Sequence, residues 1–99
     1  MTSPLPFEAE AAAQAWGRRV AIARKTRRWT LRDLAAKAGI GPNTAVQVER
    51  GDPQVGLGNW LRVFWALDLL DEFSRASRLS GDSVDAELLA ERLPQRVRR

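Results

Sequence analysis

Thr30 to Gly51 reads TLRDLAAKAGIGPNTAVQVERG, and its punctuation decides the fold. Thr30 and Asp33 have the Thr-x-x-Asp spacing of a capping box, in which each end satisfies a backbone amide of the other. Leu31, Leu34, Ala35 and Ala38 then recur at helical spacing. Gly39 is a stop, because only glycine enters the left-handed region cheaply. Pro42 suits the first turn of a new helix, which runs to about Arg50. Gly51-Asp52-Pro53 closes it. The stretch is therefore helix, tight turn, helix.

Upstream, an alanine-rich helix is expected from about Glu8 to Arg28. Glu8 and Glu10 suit its N-terminal dipole, and Arg24 to Arg28 its C-terminal one. Ala9, Ala13, Trp16, Val20 and Ala23 form its inward stripe. Downstream, a fourth helix covers about Leu57 to Leu67, with Leu57, Trp60, Val63, Phe64 and Leu67 facing the core. Leu61, Trp65 and Leu69 make a second apolar stripe, and a fifth helix from about Leu70 to Leu79 adds Phe73 to it. A helix apolar on two sides is buried on both. In so small a chain, a second copy is the simplest cover, so these four residues are the expected dimer interface. Ser80-Gly81-Asp82 is a break, Ser83 to Leu93 a short helix, and Gln95 to Arg99 a basic tail after Pro94. The division is an arm (1–7), a helical domain (8–70) and a C-terminal extension with its tail (71–99). The fold class is all-α.

Composition narrows the function. The 99 residues include no cysteine, histidine or tyrosine. Disulfides, thiolate metal sites and histidine acid–base chemistry are thereby excluded. Asp33 and Glu49 are the remaining acid–base candidates, and both have structural explanations, so an enzyme is not expected and neither is a cofactor or metal. No apolar run approaches the roughly 20 residues of a membrane helix, and the first residues lack the pattern of a signal peptide. The expectation is a cytoplasmic protein. Net charge is +4. Arg18, Arg19, Arg24, Lys25, Arg27, Arg28 and Arg32 place seven of the sixteen basic residues just ahead of the helix–turn–helix stretch. From Asp68 to Glu91 the chain is acidic, and the tail is basic again. A positive platform beside such a stretch suits a polyanion, DNA first of all.

Spacing within Pro42–Arg50 supports this. Ala45 and Val48 face inward, which turns Pro42, Asn43, Val46 and Gln47 outward. Asn and Gln can bond adenine N6 and N7 together, and an exposed Val can pack on a thymine methyl. These four are the candidate base-edge residues. The four tryptophans, at helical spacing, are read as core rather than as stacking platforms.

From Trp16 to Leu69 the chain resembles the Cro/C1-type (XRE family) helix-turn-helix domain, a five-helix bundle. The resemblance rests on Arg24, Thr30, Leu34, Ala35, Ala38-Gly39-Ile40, Thr44, Val48-Glu49-Arg50-Gly51 and the spacing to Leu57, Ala66 and Leu67. It implies that the third helix is the recognition helix and that Arg24 and Glu49 form a buried structural ion pair. Candidate phosphate contacts are Thr30, Leu31 through its amide, Arg32, Thr44 and Asn59. The family often has glutamine where this chain has Leu31, which moves that contact toward Arg32. Gly41-Pro42 likewise replaces a more usual polar cap.

Gly51-Asp52-Pro53, Val55, Gly58, Val63, Trp65-Ala66-Leu67 and the Leu93-Pro94-x-Arg96-Val97-Arg98 tail resemble HipB-like antitoxins. That resemblance implies an autorepressor, dimeric on an inverted-repeat operator, that also binds a Hip-type kinase toxin. A stand-alone XRE-family regulator and a protein-binding module that has lost DNA binding are the alternatives.

Overall fold

The computed structural model describes residues 4–78. They form five helices, α1 (Phe7–Thr26), α2 (Leu31–Ala38), α3 (Pro42–Arg50), α4 (Leu57–Ala66) and α5 (Leu70–Ala76). No strand occurs among the described residues, so the fold is all-α. The expected helix over 83–93 and the basic tail lie outside them.

One device ends four of the helices. At Gly39 (φ 72°) and Gly51 (φ 72°) the backbone turns left-handed. The next amide then reaches back across the last turn, Ile40 to the Ala35 carbonyl at 3.0 Å and Asp52 to the Gln47 carbonyl at 3.0 Å. Arg28 (φ 60°) and Asp68 (φ 62°) do the same without being glycine. There the Trp29 amide donates to the Arg24 carbonyl at 3.2 Å and the Leu69 amide to the Phe64 carbonyl at 2.7 Å. This reversal at Arg28 is why α1 stops at Thr26, two residues before the expected end.

The core is built on α1, α2, α3 and α4. Val20, Leu34, Val48, Val63, Phe64 and Leu67 are completely enclosed, with Ala23, Ala35, Ala38, Ala45, Trp60 and Leu69 around them. Phe64 sits among three other aromatic rings, with centroids 5.0 Å from Trp16, 4.9 Å from Phe73 and 6.3 Å from Trp60. Trp16 and Phe73 also meet, at 5.7 Å. Edge-on pairs of this kind add roughly 0.5–1.5 kcal/mol each beyond the area they bury. α5 is docked by these rings and by Arg19, whose Nε and a terminal nitrogen donate to the two Glu72 carboxylate oxygens at 3.2 and 2.6 Å.

Several expected positions move. Leu57 is 61 % exposed rather than buried, because α4 reaches the core only from Trp60 onward. Ala9 is exposed and Ala13 half-buried, since α1 overhangs the bundle at its N-terminal end. Leu69 is buried and Phe73 is packed on the core, both inside the bundle rather than on the outward stripe expected for a dimer interface. The αL turn at Asp68 reorients the chain between α4 and α5, so the spacing that aligned Leu61, Trp65, Leu69 and Phe73 does not continue through it.

Candidate nucleic-acid interface

α2 and α3 are joined by Gly39, Ile40 and Gly41 alone. α2 begins with the expected capping box. The Asp33 amide donates to the Thr30 hydroxyl at 3.0 Å, and the Thr30 amide donates to the Asp33 carboxylate at 2.8 Å. The Thr30 amide first, and the Thr30 hydroxyl after it, hold the Asp33 carboxyl below the usual aspartate range. The first-turn amides of Leu31 and Arg32 have no intrahelical acceptor. Leu31 packs its side chain against the core, while Arg32 is exposed.

α3 presents the expected face. Ala45 and Val48 are buried; Pro42, Asn43 and Gln47 are exposed, and Val46 and Thr44 half-buried. Gly41 supplies no side-chain cap, and Pro42 occupies the first turn. Asp52, just past the helix, accepts the Gln54 amide at 2.8 Å and shapes the loop toward Val55. Asn59 is half-buried in the first turn of α4.

Two contacts hold α3 from behind. Arg24 grips Glu49 with Nε at 2.5 Å and a terminal nitrogen at 3.2 Å, while its other terminal nitrogen donates to the Trp29 carbonyl at 2.7 Å. Both side chains are only 12 % exposed. One guanidinium thus joins α1, the turn before α2 and the end of α3. The second contact has no side chains in it. A Cβ at Gly17 would lie 2.6 Å from the Glu49 carbonyl oxygen and 2.7 Å from the Gly51 nitrogen; one at Gly51 would lie 2.5 Å from the Gln14 Cα. α1 and the C-terminal end of α3 therefore cross backbone to backbone. The sequence reading passed over Gly17, although a lone glycine inside a helical pattern is itself a signal of close packing.

The basic residues divide by duty. Arg24 is spent on Glu49 and Arg19 on Glu72. Arg27 donates to the Ala23 carbonyl at 2.9 Å and the Leu67 carbonyl at 2.6 Å, tying α1 to the end of α4. Arg18, Lys25, Arg28, Arg32, Lys37 and Arg50 are exposed and form no ion pair among the described residues. Lys37 Nζ lies 5.0 Å from the Trp29 ring centre, with the Arg27 guanidinium at 5.8 Å, so this half-buried indole carries two cations. Of the other tryptophans, Trp16 and Trp60 belong to the core, and Trp65 is 65 % exposed. No cluster of three potential metal ligands occurs among the described residues, and no described helix is long and apolar enough to cross a membrane.

Comparison with known proteins adds no neighbour: no family model matches the chain, no curated protein matches it, and no solved structure matches it.

Proposed function

We propose that this chain is a sequence-specific DNA-binding transcriptional regulator that lays α3 in the major groove. The observation that carries the reading is the exposed Pro42–Asn43–Gln47 face on a short helix fixed from behind by Arg24–Glu49 and the Gly17 crossing. A rigid helix with outward amide side chains has the equipment to read adenine edges. Arg32, the free first-turn amides of α2 and the exposed cations near them supply phosphate contacts. Thr30, Leu31 through its amide, Thr44 and Asn59 are proposed to share that role, and Val46 to meet a thymine methyl. Two copies would place their α3 helices in successive major grooves of an inverted repeat, about 34 Å apart. The HipB-like resemblance extends the reading to an antitoxin that represses its own operon and binds a Hip-type kinase; a stand-alone regulator is the same chemistry without that partner.

The test is a fluorescence-anisotropy titration against DNA from upstream of the protein's own gene, at two salt concentrations. Affinity should fall steeply with salt, because phosphate contacts release counterions. Gln47→Ala should weaken binding to the specific site about 10- to 100-fold, the worth of one two-point base contact, and leave binding to random DNA unchanged. Equal affinity for the upstream site and random DNA would overturn the reading. The bare Gly41 cap and inward Leu31 would then favour a protein-binding module.

A further inference from the structure

Where α4 and α5 meet, Ala38, Leu61, Arg62, Trp65, Leu70 and Ser74 line an open, mainly apolar groove of about 560 Å³. We propose that this groove binds a small apolar carboxylic acid, its carboxylate paired with Arg62 and its hydrocarbon body lying along Leu61, Trp65 and Leu70. The site stands independently of whether α3 binds DNA.

The fold shapes the groove without help from a ligand. The left-handed turn at Asp68 carries Leu69 and Phe73 into the core. Their neighbours Leu70 and Ser74 are left outside, lining the same groove as Leu61 and Trp65 of α4. The bond from the Leu69 amide to the Phe64 carbonyl, 2.7 Å, and the Arg19–Glu72 pair hold α5 at that angle. Trp65 is 65 % exposed and Leu70 37 %, so two large apolar side chains stand in water on one concave surface. Apolar walls with a few polar groups, enclosing roughly 300–1,000 Å³, are the usual form of a small-molecule site.

Charge identifies the occupant. Arg62 is the one ionisable side chain in the lining, and it forms no ion pair among the described residues. Its Nη1 stands 3.5 Å from where a Cβ on Gly39 would lie, which sets the guanidinium beside the α2–α3 turn. Both acids of α5 are engaged elsewhere, Asp71 with Arg75 and Arg78, and Glu72 with Arg19. A guanidinium takes a carboxylate through two parallel bonds. One positive charge matches a monoanion, whereas a phosphate dianion would leave excess charge against apolar walls. A second copy facing this groove through a two-fold axis would bring another Arg62. The lining holds no carboxylate, so neither cation would be neutralised there.

The probe is octanoate, with octanol as the same body lacking the charge. In NMR spectra of the 99-residue chain, the indole N–H resonance assigned by Trp65→Phe should move as octanoate is added. It should saturate with a Kd of about 1 mM or tighter, within reach of a ligand of this size. The resonance of Trp16, packed on Phe64 and Phe73, should stay. Octanol should bind at least about tenfold more weakly, because it cannot form the charged pair. Arg62 is exposed, so its substitution leaves the fold intact. Arg62→Gln should remove the advantage of octanoate and leave octanol unchanged, and Arg62→Lys should fall between, keeping the charge without the fork. Equal binding of the two probes, or octanoate binding that survives Arg62→Gln, would overturn the proposal. So would a Trp65 resonance unmoved by octanoate at about 10 mM, well above the expected Kd. A chain that sediments as a dimer, and as a monomer once Trp65→Asp is made, would overturn it in favour of a second copy.

Discussion

Arg24 is the side chain on which most local structure depends. It satisfies the Trp29 carbonyl in the turn between α1 and α2 and neutralises Glu49 near the end of α3. Arg24→Ala would leave the Glu49 carboxylate enclosed without a partner, and a cost of about 3 kcal/mol is expected in urea denaturation. Glu49→Gln keeps an acceptor for the guanidinium and should cost less. Three carboxyls add a pH dependence. The Thr30 amide and hydroxyl hold Asp33 low, Arg19 holds Glu72 low, and Arg75 holds Asp71 low. A carboxyl whose folded pKa lies below its unfolded one contributes fully above the unfolded value and stops contributing as pH falls through the folded one. The melting temperature should therefore hold from about pH 7 to about pH 5 and drop below about pH 4. Glu72→Gln should shrink that acid-side drop, and an undiminished drop would show that the Arg19–Glu72 pair contributes little.

Among the helices, the crossing of α1 over the end of α3 is the tightest feature. Gly17→Ala drives a methyl into the Glu49 carbonyl and the Gly51 amide, atoms that cannot rotate away. An overpacking cost of about 3 kcal/mol is expected, measurable as a lower denaturation midpoint with an unchanged m-value. The four matching helix ends invite the opposite change. Asp68 holds a left-handed conformation that costs a residue with a side chain roughly 1 kcal/mol. Asp68→Gly should recover up to about that amount. Gly39 and Gly51 already have it. The helix–turn–helix element was legible because its capping box, glycine stop and first-turn proline are local chemistry. The exit from α1 was not, because Arg28 gives no hint in its residue type that it will turn left-handed.

For the whole molecule, patterns that repeat within one helix were readable and relations between helices were not, apart from the Arg24–Glu49 pair that the family resemblance implied. Val20, Leu34, Ala35, Val48, Val63, Phe64 and Leu67 fall where spacing places them. Leu69 and Phe73 look like a continuation of the Leu61–Trp65 stripe, yet the turn at Asp68 carries them into the bundle. Charge behaves in the same way. A count over 18–32 suggests one positive platform broken only by the expected Arg24–Glu49 pair, whereas Arg19 and Arg27 are also engaged, with Glu72 and the Leu67 carbonyl. Which further cations remain available depends on partners 40 and 53 residues away in the chain, a separation no local pattern reveals. The outward side of α3 was readable because burial of Ala45 and Val48 alone determines it.

The backbone crossing at Gly17 and Gly51 has an evolutionary consequence. The pose of α3 is set by contacts on its inner side and at its C-terminal end, and the exposed side chains of Asn43 and Gln47 take no part in them. Those two positions can therefore diversify without disturbing the mount that holds the helix. If α3 reads DNA as proposed, a lineage built on this scaffold could drift from one target to another by single substitutions, each variant remaining folded along the way. On the proposed DNA-reading role, α3 is interchangeable type in a fixed press.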